Sequence, residues 1–194
     1  MTIVQIGANR GYDDVTEISN QIFPNRIILV EPFNEHNKSL QECYKHIPEC
    51  YIENIAIVDN PELKTAALHY HDQDSVGRDK FELASLNKNH FIKIRESYYT
   101  EEGMKERVVP SITINQLLDK YQLIDVDVLF IDTEGFDDVI IKSIDFSKYN
   151  IKEIYYENLH VDVDSLRIFL ESKGYTIEKN VGFVFKWNDK ATKK

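Results

Sequence analysis

The 194 residues, 42% hydrophobic and 29% charged with few Gly and Pro, suit a single domain over 1–194 and exclude a fibrous or largely disordered chain. A net charge of −10, with no basic cluster ahead of the terminal Lys190 to Lys194, argues against a phosphate-tracking surface, so nucleic acid is not an expected partner. No apolar run approaches the ~18 residues of a membrane span and nothing resembles a signal peptide, so the expected address is the cytoplasm; lack of a leader equally fits a domain cut from a longer glycan-assembling protein.

Thr2 to Ile6 is a short β-branched run and reads as a buried strand. The turn Gly7-Ala8-Asn9-Arg10-Gly11 leads into a helix over Asp13 to Phe23, with Val15, Ile18 and Ile22 on one face and two acids at its start. After Pro24-Asn25, Arg26 to Val30 is a strand with almost no polar alternation, as when both faces are covered. A helix over Asn34 to Ile47 stops at Pro48, and Tyr51 to Val58 is expected to be the third strand. Cys43 and Cys50 have no CxxC spacing and are expected to be reduced packing thiols. Strands alternating with helices imply right-handed crossovers and a parallel sheet.

From about 59 to 107 the pattern loosens into a strand (Ala66 to His71), a polar stretch, and an aromatic and charged segment, which reads as an insertion on the acceptor side. His69, His71 and His90 within it are expected to be surface or packing residues. Order returns at Val108-Val109. A helix follows from Thr113 to Tyr121, then a strand Val126 to Ile131, then Asp132-Thr133-Glu134-Gly135 and a helix from Phe136 to Ile144. Ile151 to Tyr156 is the next strand, ending in Glu157-Asn158-Leu159-His160; a helix over Asp164 to Lys173 precedes a hairpin of Tyr175 to Lys179 with Gly182 to Trp187. Lys193-Lys194 is expected to be a solvated tail.

In an open parallel sheet, ligands bind beyond the carboxyl ends of the strands, near the point where strand order reverses. Gly7 and Gly11 lie at that edge and would let backbone approach a nucleotide-like ligand. The dinucleotide pattern needs a third glycine that is absent here, and Asp13-Asp14 would repel a pyrophosphate, which disfavours NAD and ATP. Glu31, 20 residues beyond Gly11 at the end of the second strand, can accept hydrogen bonds from both hydroxyls of a ribose. Gly7, Asn9, Gly11 and Glu31 thus read as a site for a phosphate-free adenosine ligand, S-adenosylmethionine being the obvious one.

GANRG (Gly7 to Gly11), VEP (Val30 to Pro32), NIAI (Asn54 to Ile57), ASL (Ala84 to Leu86), VPSITI (Val109 to Ile114) and IDTEGFD (Ile131 to Asp137) occur in that order. Together, from about Ile3 to His160, they resemble the successive motifs of FkbM-type S-adenosylmethionine-dependent methyltransferases. The resemblance implies an α/β, Rossmann-like class I methyltransferase fold: a mostly parallel seven-stranded sheet, its last strand antiparallel, with helices on both faces. It also implies O-methylation, often of sugar hydroxyls or natural products. By carry-over, Gly7, Ala8, Asn9 and Gly11 would line the methionine and ribose, Glu31 and Pro32 would border the ribose, and Asn54, Ile55 and Ala56 the adenine. The Thr before Glu134 departs from the Val more usual in the family.

Methyl transfer is an in-line displacement in which an alcohol needs somewhere to send its proton. Asp132 and Glu134 after one strand, and Glu157, Asn158 and His160 after the next, are expected to be neighbours. One reading makes Asp132 an orienting group beside the methyl, with His160 or Glu157 as base. Another places Mg2+ or another divalent cation between Asp132, Glu157 and Asn158. Glu134 reads equally as an acid favoured by the following helix's N-terminus. The expected acceptor is a carbohydrate hydroxyl, met by an insertion wall carrying Tyr70, Asp72, Asp74 and Tyr98, with the Tyr98-Tyr99 pair stacking on a sugar or packing as a lid. The alternatives are a small natural-product or lipid-linked hydroxyl, or a non-catalytic adenosine-binding module in a glycan-assembling protein.

Overall fold

The computed structural model describes residues 1–72, 79–92, 103–181 and 188–194. Strand β1 (Thr2–Ile6) runs into helix α1 (Asp14–Ile22), then β2 (Arg26–Val30), a 3-10 turn (Asn34–His36), α2 (Asn37–Cys43) and β3 (Glu49–Glu53). Next come β4 (Ala56–Val58), β5 (Thr65–His71), β6 (Met104–Thr113), α3 (Ile114–Lys120) and β7 (Asp125–Ile131). The chain finishes with α4 (Asp137–Lys142), β8 (Asn150–Glu157), α5 (Val163–Ser172), β9 (Tyr175–Val181) and β10 (Asn188–Lys193). Polar side chains fix several helix starts. Asp13 accepts from the Thr16 amide at 3.0 Å, and Thr113 and Gln116 cap α3 reciprocally, each satisfying donors that a helix N-terminus leaves open.

The main sheet has the order β3-β2-β1-β7-β8-β10-β9. Within it β3, β2, β1, β7 and β8 pair in parallel, and β10 is antiparallel to both neighbours. Because successive strand residues face opposite ways, each central strand feeds two cores. Val4, Ile6, Leu129, Ile131 and Ile154 pack under α3, α4 and α5. Ile3, Ile27, Leu29, Val128 and Phe130 pack under α1 and α2. Strand order reverses between β1 and β7, which opens the crevice where the site lies.

Three expectations need correction. Tyr51 to Val58 is not one strand: β3 ends at Glu53, and β4 belongs to a second sheet of order β4-β6-β5. The break falls where Asn54 donates its amide to the Glu31 carbonyl oxygen at 2.8 Å and exchanges hydrogen bonds with Asn37. Order returns at Met104 rather than Val108, because β6 pairs with β5 from Met104 to Pro110 and with β4 from Ser111 to Thr113. The lysine-rich tail is a strand: β10 lies between β8 and β9, with Asp189 and Ala191 fully buried. Its lysines lie over rings, Lys190 over Tyr155 and Lys193 over Tyr175, keeping the charged head near water while the stem covers apolar surface. The expected hairpin partner, Gly182 to Trp187, lies outside the described residues.

Candidate functional site

A cavity of about 450 Å³ lies at the carboxyl ends of β1, β2, β7 and β8, with β4 and β5 contributing the facing wall. Among the residues expected to border the cofactor, Gly7, Asn9, Gly11, Glu31, Pro32, Ile55, Ala56 and Asp132 line it. Ala8 and Asn54 do not. Ala8 is buried in the core under α1 and α2, and Asn54 spends its amide on Glu31 and Asn37.

The glycine turn owes its residue type to the chain itself. Gly7 has φ +83°, and a Cβ there would lie 1.7 Å from the backbone oxygen of Asp132. Gly11 has φ +71°, and its Cβ would come within 2.9 Å of Cys43 Sγ. A left-handed backbone plus this crowding demands glycine, where the sequence suggested clearance for a ligand. Glu31 is only 5% exposed and accepts hydrogen bonds from the amides of Asn9 at 2.8 Å and Phe33 at 2.9 Å. One oxygen serves each amide, so each keeps a lone pair for a further donor. His36 stands behind it, with Nδ1 3.7 Å from Glu31 and Nε2 3.3 Å from Asp79. Burial works to lower the His36 pKa, but the two carboxylates outweigh it and hold the imidazole above its ordinary value. On the same side Phe33 stacks on Phe81 at 4.1 Å, and the Arg107 guanidinium covers both rings and Tyr70.

The opposite end is acidic. Asp137, with no solvent exposure, accepts from the amide and hydroxyl of Thr133 and from the Glu157 amide. Burial pushes it up to about 6 against these bonds. Asp132 opens onto the cavity but is deeply set. Desolvation, then Asp137, Asp13 and Glu82, raise its pKa. Glu157, 8% exposed, is raised by desolvation and by the charges of Asp132 and Asp137. Its Oε2 is buried and makes no hydrogen bond. A pocket end that concentrates carboxylates, with Asp137 and Glu157 buried beside the cavity-facing Asp132, favours a cationic occupant.

Beyond Glu157 lie residues of three separate segments. Residues 88–92 are helical and carry His90. The loop after β7 carries Glu134, and the loop after β8 carries His160. His90 Nε2 lies 3.9 Å from Glu134 Oε2, the rings of His90 and His160 are 4.5 Å apart, and His160 Nε2 is 3.7 Å from Glu157 Oε1. Burial lowers the His160 pKa, keeping the ring neutral near pH 7.

The structure therefore brings Asp132, Glu134, Glu157 and His160 into one region. It ties Asn158 elsewhere, its amide donating to Asp189 Oδ1 at 2.9 Å and to Asn180 Oδ1 at 3.3 Å. Glu134 precedes α4 by a full turn's approach, outside the helix's first turn. Of the two expectations for the insertion histidines, packing holds for His69 and His71, which are buried in β5, while His90 faces Glu134. Of the expected acceptor wall, Tyr70 packs among Phe33, Phe81 and Arg107, and Asp72 pairs with Lys105. Asp74, Tyr98 and Tyr99 lie outside the described residues. Reading the sequence missed Asp13, Phe33, Leu68, Phe81 and Glu82 as lining residues; Phe33 directly follows the VEP motif, a signal that could have flagged it.

An open sheet of this order with an antiparallel strand second from its edge, a glycine turn after β1 and an acid at the tip of β2 define a Rossmann-like class I methyltransferase fold. Residues 5–177 match the family described as the methyltransferase FkbM domain. The chain belongs to that family and is an S-adenosylmethionine-dependent methyltransferase. Among solved structures it is similar to a precorrin-6y C5,15-methyltransferase from Geobacter metallireducens GS-15, with 16% identity and a TM-score of 0.48 over all of this chain and 80% of that one. It is also similar to M. capricolum TrmK in complex with S-adenosyl-homocysteine, with 13% identity and a TM-score of 0.48 over all of this chain and 62% of that one. Among curated proteins none matches it. Among the described residues no helix is long and apolar enough to cross a membrane.

Proposed function

We propose that this enzyme transfers the methyl group of S-adenosylmethionine to a hydroxyl oxygen of a carbohydrate, with Glu157 receiving the proton. The adenosine lies against Ile55, Ala56 and Phe33, with its ribose hydroxyls donating to the free lone pairs of Glu31. The ammonium and sulfonium of the donor face Asp13 and Asp132. The acceptor oxygen attacks the methyl carbon as the carbon–sulfur bond breaks, yielding a methyl ether and S-adenosylhomocysteine, and the hydroxyl proton passes to a carboxylate. Asp132 orients the methyl group; His160 stands beyond Glu157, away from the cavity lining.

One observation carries this reading. Glu157 lines the cavity, is almost fully buried, and has an oxygen with no hydrogen-bond partner. A buried carboxylate beside other acids is a stronger base than one in water, and the arriving positive charge of the donor favours its ionised form. The carboxylates and imidazoles beside it suit an acceptor rich in hydroxyl donors.

Incubation with methyl-labelled donor and a panel of glycans, small alcohols and phenols, amines and tRNA, followed by mass spectrometry, is expected to place label on a glycan hydroxyl. Glu157→Gln should lower turnover by about 10²- to 10⁴-fold while S-adenosylhomocysteine affinity, read by calorimetry, stays within a few-fold. Label confined to nitrogen, to carbon or to non-glycan hydroxyls, or full activity in Glu157→Gln, contradicts the proposal.

A further inference from the structure

We propose that His90, Glu134 and His160 form a binding site for a divalent transition-metal ion at the acceptor end of the cleft. Each residue offers one ligand atom, and these atoms all lie within 4.8 Å of one another. In a tetrahedral shell with bonds of about 2.0 to 2.2 Å, ligand atoms stand about 3.4 Å apart. The three donors thus need to draw together by up to about 1.4 Å, within the reach of side-chain rotation.

The residues are distant in sequence, and each is held by its own surroundings. The segment carrying His90 is anchored through Ser85, whose backbone pairs with His69 and whose hydroxyl donates to the Glu134 carbonyl at 2.7 Å. Glu134 has φ +53°, a conformation that a side-chain-bearing residue adopts at an energetic cost. Gly135 follows, and a Cβ there would lie 2.9 Å from the His90 ring, so the missing side chain lets the imidazole close onto the β7 loop. Two of the three ligands are expected from the same place that the fold reserves for chemistry, the tips of β7 and β8; the third is delivered to them by the 79–92 segment.

The donor set selects the ion. Two imidazoles and one carboxylate suit Zn2+, Fe2+, Co2+, Ni2+ or Mn2+ better than Mg2+ or Ca2+, which prefer all-oxygen shells. This differs from the oxygen-rich set of Asp132, Glu157 and Asn158 that the sequence suggested, in which the Asn158 amide is engaged by Asp189. Three protein ligands leave coordination positions open for water or a substrate hydroxyl. Glu134 lines the cavity, and Glu157 lies beside His160. A hydroxyl bound to the ion would be acidified, release its proton to Glu157, and present its oxygen to the methyl carbon. That role rests on the methyl-transfer reading above; the existence of the site does not.

The test is metal binding by the full chain after dialysis against a chelator, titrating Co2+ by visible absorption and Zn2+ by calorimetry. The expected result is one ion per chain, weakened at least about ten-fold in His90→Ala and in His160→Ala and unchanged in Asn158→Ala, with S-adenosylhomocysteine affinity retained in all three as proof of folding. X-ray absorption of the Zn2+-loaded wild type needs no variant and should show two imidazoles. No binding by the wild type, wild-type affinity in either histidine variant, loss in Asn158→Ala alone, or a shell without imidazole overturns the site. Retained S-adenosylhomocysteine binding without metal binding would remove the site and leave the methyl-transfer reading standing. Metal binding without methylation of any acceptor would do the reverse.

Discussion

Gly7 illustrates how one residue type can be right for a reason other than the expected one. The backbone oxygen of Asp132 occupies the place a side chain would take, so Gly7→Ala must push β1 and β7 apart as well as adopt an unfavourable φ. The expected cost is at least about 3 kcal/mol, read as a lowered denaturant midpoint; a change under about 0.5 kcal/mol would show that the two loops yield easily. Glu31 and Asp132 were legible in the sequence because each directly follows a strongly apolar strand, and Glu157 because it closes the next one; strand tips are where parallel sheets put their chemistry. Asn54 and Asn158 were not, since an amide that turns to a neighbouring backbone or carboxylate has no one-dimensional signature. His90 was illegible for a related reason: nothing in the local pattern says that residues 88–92 fold back onto the tips of β7 and β8.

At the scale of elements, β1, β2 and β7 could be read nearly to the residue, because a strand covered on both faces is a continuous β-branched run. β10 carries the opposite lesson. Its sequence, NDKATK, has a single aliphatic residue, yet the strand occupies an interior position in the sheet. What fixes it is polar. Asp189 accepts from Arg167 Nε at 2.7 Å, from the Asn158 amide and from the Asn180 backbone amide, and these bonds outweigh burial to hold its carboxyl below the usual range. Removing residues 188–194 should therefore strip β8 and β9 of their shared partner, and circular dichroism is expected to show loss of cooperative thermal unfolding. A truncated chain with an unaltered melting curve would mean that β10 contributes no more than a disordered tail does.

For the whole molecule, the parallel sheet and two-sided core were implied by the alternation of strands and helices and the antiparallel last strand by the family resemblance, whereas the smaller sheet was not foreseen, because β6 recruits β4 and β5 across a stretch without clear periodicity. The molecule's pH response follows from its two populations of acids. Asp137 is raised to about 6 from an ordinary value of 3.8, so the folded state binds its proton more tightly than the unfolded state. Its stabilising contribution is present below the ordinary value and is lost as pH rises through about 6. Asp127, lowered chiefly by its bond to Lys152, and Asp189 behave oppositely and lose their contribution below about pH 4. The unfolding midpoint of the ligand-free protein should accordingly fall between pH 4 and 7, and Asp137→Asn should flatten that slope even while lowering stability overall. A wild-type midpoint that climbs across this interval would refute the assignment.

The close seating of the β1 turn against the β7 loop, where the Asp132 amide also donates to the Ile6 carbonyl at 3.0 Å, has a thermodynamic corollary. On the methyl-transfer reading proposed above, one loop would border the donor and the other both substrates, so displacing either would work on its neighbour. By linkage, whatever factor an acceptor adds to donor affinity, the donor must return in equal measure, and this backbone seam would carry part of that exchange beyond the direct contact between methyl group and acceptor oxygen.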